Sequence, residues 1–174
     1  MSYFAAVVAR SHGQWKGADI ELDDAADIED AADLMRDASV DDSPVLLFVE
    51  EDDEWFGVVR VDGADEPKVF ISDARVVGES ELAIKLFADL APDTLAEEAT
   101  VDLEIDDDSE PDETEQTSVK PAAEPAGSFD LLSDLGISGP ELAQLCAEEG
   151  ALPADVITTV CERLGCVDEI EVYR

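Results

Sequence analysis

Apolar positions along this chain repeat with two periods, and the switches between them divide it into elements. Residues 3-YFAAVVAR-10 are apolar on both alternating faces and predict a strand. In 24-DAADIEDAADLMRDA-38, Ala25, Ile28, Ala31, Ala32 and Met35 share one helical stripe with acids opposite, and Asp23 and Asp24 stand where a carboxylate can accept from free backbone N–H groups. Pro44 opens the next strand. The runs 44-PVLLFVE-50, 55-WFGVVRV-61 and 68-KVFIS-72 predict three short strands, with 51-EDDE-54 and 62-DGADEP-67 as hairpin loops between them. A second helix follows over 79–90, where Leu82, Leu86, Phe87 and Leu90 recur at helical spacing.

The first ninety residues therefore read β-α-β-β-β-α, an α+β fold built on an antiparallel sheet of about four strands with two helices. Strands that are apolar on both faces need two coverings. One is a helix layer; the other is the second helix, the C-terminal part of the chain, or another subunit, which makes a homodimer through the uncovered face an expectation.

Periodicity then fades. The stretch 97-EEATVDLEIDDDSEPDETEQTSVKPAAEPAG-127 is rich in acids, Pro, Ser and Thr with only Val101, Leu103 and Ile105 as an apolar trace, which predicts a disordered acidic linker. Order resumes at Phe129. Phe129, Leu132 and Leu135 share a face before Gly136, 138-SGPE-141 has the form of a capping box opening a helix over 139–149, and a third helix after Pro153 carries Val156, Ile157, Val160 and Leu164. The expected organisation is a sheet domain over 1–95, a linker over 96–127 and a three-helix module over 128–174.

Charge adds a statement about partners. The 174 residues carry 46 acids against 10 bases, a formal net charge of −36, while 45% remain hydrophobic, so a core can form beneath a strongly negative surface. Such a field repels phosphate backbones and removes the main source of nucleic-acid affinity, so a basic protein is the expected partner. No run approaches the length of a membrane span and the N-terminus lacks a basic leader, which places the protein in the cytoplasm as an expectation.

Candidate chemistry is sparse. Cys146, Cys161 and Cys166 lack the further ligands of a zinc set and read as buried thiols, with a Cys161–Cys166 redox pair as the alternative. His12 is the only histidine and sits in 11-SHGQW-15, a loop after the first strand. The glycines punctuate turns rather than cradle phosphate, and 106-DDD-108 lacks calcium-loop spacing. No cofactor, metal or catalytic residue is implied. Adjacent carboxylates in 50-EEDDE-54 repel one another and favour a solvated turn, with Trp55 packing across from Val49 or Phe48.

The start MSYFAAVVAR, the stretch 44-PVLLFVEEDDEWFGVVRVDG-63, 69-VFISDA-74, 129-FDLLSDLGIS-138 and 152-LPADVITTVCERLG-165 together resemble the actinobacterial tRNA adenosine deaminase-associated proteins. The resemblance implies association with the zinc enzyme that converts adenosine to inosine in tRNA. The deaminase signature itself, H-x-E with P-C-x-x-C, is missing: His12 is followed by Gly13 and Gln14. The expectation is a non-catalytic accessory protein docking on a tRNA-modifying deaminase or another basic partner. Candidate contacts are Trp55, Phe56 and Phe129 with the acids Glu51, Asp52, Asp53 and Glu54. The alternative is an acidic mimic of nucleic acid that inhibits a nucleic-acid-binding protein.

Overall fold

The computed structural model describes residues 3–39, 43–91, 123–148 and 151–173. Strands β1 (Tyr3–Ser11), β2 (Gln14–Asp19), β3 (Pro44–Glu51), β4 (Trp55–Asp62), β5 (Lys68–Ile71) and β6 (Ala126–Gly127) form one sheet in the order β2-β1-β3-β4-β5-β6, antiparallel throughout. Helices α1 (Ile28–Asp37) and α2 (Glu81–Phe87) lie on one face; α3 (Gly139–Ala147), α4 (Pro153–Leu164) and α5 (Val167–Glu171) belong to the other.

The α+β class is as expected, and the strand count is six rather than about four. The segment read as a loop around His12 is a two-residue hairpin: His12 (φ 51°) and Gly13 (φ 81°) both take left-handed backbone, and Ser11 pairs directly with Gln14. That turn geometry matches the twist of the flanking strands. The new strand, QWKGAD, has neither alternation nor β-branched residues, which is tolerable because it is an edge and only half-buried. At the other edge, β6 comes from the end of the stretch assigned to the linker. It pairs Phe70 with Gly127 and Ile71 with Ala126, and Ala74 N–H donates to the Glu124 carbonyl at 2.8 Å. The rest of the expected linker, through residue 122, lies outside the described residues.

Helix starts follow side-chain caps. Helix α1 begins at Ile28, several residues later than expected, because it is Asp27 whose carboxylate accepts from Glu29 and Asp30 N–H. Ser80 caps α2 through Ala83 N–H at 3.0 Å. The capping box before α3 is present, Glu141 accepting from the Ser138 N–H at 2.9 Å and its hydroxyl at 2.7 Å. Residues 128–135, expected as a helix ending at Gly136, instead make turns and one short 3-10 segment, Ser133–Leu135.

Period-two alternation splits the strands between two cores. Val7, Leu47, Val49, Trp55, Val59 and Ile71 face Ala31, Ala32, Met35, Leu82, Leu86 and Phe87 of the α1–α2 layer. Ala6, Val8, Leu46, Phe48, Phe56, Val58 and Phe70 face Leu131, Leu132, Ile137, Leu142, Ile157 and Val160. The C-terminal segment thus covers the second sheet face, one of the three coverings expected for it.

One buried cation fastens that cover. Arg60, on β4 and 8% exposed, donates through Nη1 to the Leu131 carbonyl at 2.6 Å and brackets the carboxylates of Asp62 and Asp134. These hydrogen bonds, with that to Asp134 foremost, hold the guanidinium's proton affinity above its ordinary value and pull the Asp134 carboxyl below its own.

Candidate partner-binding groove

The acidic hairpin between β3 and β4 divides its carboxylates between two jobs. Asp52 (φ 50°) and Asp53 (φ 56°) occupy the two left-handed positions of the turn, closed by Glu54 N–H to the Glu51 carbonyl at 3.0 Å. Aspartate is among the few residues other than glycine that enter this region readily. Asp52, Asp53 and Glu54 are exposed, whereas Glu51 turns inward and is 7% exposed. Its Oε2 accepts from Trp55 Nε1 at 3.1 Å and from the Ser80 hydroxyl at 2.5 Å, so one carboxylate ties the hairpin to the cap of α2.

Trp55 and Phe56, expected at a contact surface, are core residues at 1% and 2% exposure. As neighbours on one strand they point to opposite faces. Trp55 meets Phe87 edge-on at 5.9 Å, and Phe56 packs against Phe70 at 6.1 Å. Phe129 is half-buried, its ring edge-on to Phe70 at 5.3 Å. All three aromatics stabilise the two cores.

The exposed part of the hairpin belongs to a larger feature. Asp52 and Asp53 form one wall of an open groove of about 810 Å³, together with Glu50, Asp19 at the end of β2, and Glu21 and Asp23 of the following loop. Tyr3, Phe4, Ile20, Ala154 and Tyr173 supply its apolar lining. Tyr3 opens β1 directly across from Glu51, and its hydroxyl donates to Asp23 Oδ1 at 3.2 Å. Burial, then the neighbouring Asp23 charge, raises the Tyr3 hydroxyl above its ordinary pKa, so it stays a neutral donor.

Tyr173 arrives from the other end of the chain. Its hydroxyl donates to the Gly17 carbonyl at 3.1 Å, Glu169 Oε2 accepts from Gly17 N–H at 2.9 Å, and Trp15 Nε1 donates to the Leu164 carbonyl at 2.9 Å. Glycine at 17 permits this approach, since a Cβ there would lie 2.6 Å from the Glu169 carbonyl oxygen. The docking of α5 on β2 thus brings Tyr173 into the groove lining.

Among the described residues no basic one lines it. Six carboxylates with two tyrosine rings suit a guanidinium or ammonium group, which gains charge-assisted hydrogen bonds from the acids and attraction to the ring faces. No histidine, cysteine, serine or threonine among the described residues lines the groove. Among the described residues no set of three or more His, Cys, Asp or Glu side chains is placed to hold a metal ion. His12 is exposed at its hairpin tip beside the Ser11 hydroxyl at 2.9 Å. Cys161 and Cys166 are buried thiols, and burial pushes the half-buried Cys146 thiol up to about 12, far from a reactive thiolate. Among the described residues no helix is long and apolar enough to cross a membrane.

The groove was hidden from the sequence because it joins positions 3–5, 19–21, 23, 50, 52, 53, 154 and 173. Only the hairpin acids carried a local signal. Compared with known proteins, residues 3–167 match the family model described as Rv3753c-like tRNA adenosine deaminase-associated protein. No curated protein and no solved structure matches.

Proposed function

The chain belongs to the Rv3753c-like tRNA adenosine deaminase-associated protein family, and we propose that it is a non-catalytic accessory protein that docks on a tRNA-modifying adenosine deaminase. The acidic groove receives a basic segment of that enzyme. The observation that carries this reading is the coincidence of six carboxylates and two tyrosines in one concave surface, on a chain whose family is described by its association with the deaminase. An enzyme that binds tRNA must offer Lys and Arg to phosphate, and the same side chains fit a carboxylate-lined groove.

A groove lined by carboxylates, aromatics and small apolar side chains, with no nucleophile or histidine among its described residues, favours binding over group transfer. Concavity also separates this reading from nucleic-acid mimicry, in which carboxylates would project from a convex ridge as phosphates do. The docked partner is then held by Asp52 and Asp53 at the hairpin tip, with Asp19 and Asp23 opposite and the exposed Glu54 beside them.

Size-exclusion chromatography with light scattering, on the full chain mixed with the deaminase at low salt, tests the docking. A 1:1 or higher complex is expected, together with a changed rate of inosine formation in tRNA. Neutralising the tip with Asp52→Asn and Asp53→Asn should weaken the complex about tenfold or more, since one close charge pair alone couples by about 1.5 kcal/mol or more. A complex indifferent to those substitutions and to salt would remove the groove from the account; no complex at all would remove the deaminase.

A further inference from the structure

We propose a second docking surface, on the opposite layer of the molecule: the cleft between α1 and α2 takes a basic amphipathic helix of a partner protein. The cleft measures about 460 Å³ and is bounded by α1, α2 and the β4–β5 loop. Its apolar wall includes Ile28, Val69, Leu86 and Phe87. Ile84 stands at its edge, 47% exposed on the face of α2 turned away from the core that buries Leu82, Ala83 and Leu86. Packing within the chain gives Ile84 little, and its methyl groups are offered to whatever covers the cleft.

Charge selects the occupant. Among the described residues the rim carries Asp27, Glu29, Glu66 and Asp89 against one cation, Lys85. The chain leaves the described structure at Ala91, two residues beyond Asp89, and residues 92–122 add 12 acids and one base to the sequence attached there. An apolar floor inside an acidic rim is complementary to a helix with an apolar stripe flanked by Lys or Arg.

An extended peptide is the poorer fit. Strand addition needs a free sheet edge, and beside this cleft the β5 edge is already paired with β6, where Ser128 N–H also donates to the Val69 carbonyl at 2.8 Å. A helix laid between two helices needs no backbone partner and inserts side chains at i, i+3 or i+4 and i+7 into the cleft.

The test uses the full chain and a fluorescein-labelled Leu/Lys amphipathic helical peptide of about 18 residues, five turns long. Binding is read by fluorescence anisotropy at about 0.15 M salt, where exposed charges beyond about 8 Å are screened. Saturable binding is expected; Ile84→Gln, which removes apolar contact without adding charge, should weaken it about tenfold, and Lys85→Glu should tighten it. Asp52→Asn with Asp53→Asn, in the other groove, should leave it within about twofold. No saturable binding, binding indifferent to Ile84→Gln, or equal loss on neutralising the hairpin would each overturn the proposal. This proposal is separate from the docking of the deaminase: the Ile84→Gln arm reads this cleft and the Asp52→Asn, Asp53→Asn arm reads the acidic groove, so failure of one is distinguishable from failure of the other.

Discussion

Replacing Arg60 by methionine should loosen the C-terminal cover from the sheet. The substitution keeps volume and removes every hydrogen bond of the guanidinium: to Asp62 Oδ2 at 2.8 Å, to the Leu131 carbonyl at 2.6 Å and to Asp134 Oδ2 at 2.9 Å among them. Taking one partner from a buried ion pair costs about 3–5 kcal/mol, chiefly because the other charge stays buried without compensation. Here the stranded acids can rehydrate, since the Asp62 and Asp134 side chains are 30% and 58% exposed, and that lowers the expectation to about 2–3 kcal/mol. For a chain of this size the melting temperature should fall by about 5–10 °C. Urea unfolding followed by circular dichroism gives the free energy directly. A double-mutant cycle against Asp134→Asn isolates the pair, with a coupling of about 1 kcal/mol or more expected. A loss under about 0.5 kcal/mol for Arg60→Met, or a loss unchanged in the Asp134→Asn background, would refute the idea that this cluster joins the two parts of the chain.

Three further outcomes follow from the geometry. Gly57→Ala would place a Cβ 2.3 Å from Cζ of Phe87, so it should cost about 1–3 kcal/mol by overpacking, and Phe87→Leu in the same chain should recover part of that loss in urea midpoints. The Asp134 carboxyl is held down by Arg60; at Asp73 burial pushes upward, but hydrogen bonds from Arg75 outweigh it and the net direction is also down. The unfolded chain therefore takes up protons first as pH falls: this stability is full above the ordinary Asp value of about 3.9 and is lost below it, and Arg60→Met should flatten the acid limb of a stability–pH curve. Cys146, Cys161 and Cys166 should react slowly with a thiol reagent in native protein and rapidly in urea, because the first is held near 12 by burial and the others are buried.

What the sequence discloses here is whatever local pattern decides. Strands β1, β3, β4 and β5 are runs of Val, Leu, Phe and Ile with apolar side chains on both faces, and no other element suits them. Ser138 and Glu141 announce α3 because both halves of the box are covalently near each other. Strand β2 was invisible because its register comes from the His12–Gly13 turn and its stability from β1 and α5, not from QWKGAD itself. Strand β6 is two residues of Ala and Gly, a strand solely because β5 had an unpaired edge. The aromatic flank of the hairpin misled for a related reason: Trp55 and Phe56 are equally consistent with a contact surface and with two cores, and only the presence of covers on both faces decides.

The doubly covered sheet has a consequence for how the chain is made. Phe48, Phe56 and Phe70 belong to strands complete by residue 71, yet their covers, Leu131 through Val160, are translated far later. At ribosomal rates of about 5–20 residues per second, the nascent sheet waits several seconds with one greasy side bare. The segment synthesised in that interval, residues 92–122, is strongly acidic, with 12 acids and one base. Neighbouring nascent chains on a polysome each carry this charge just when they are most prone to stick, and their mutual repulsion keeps them apart until the last helices emerge.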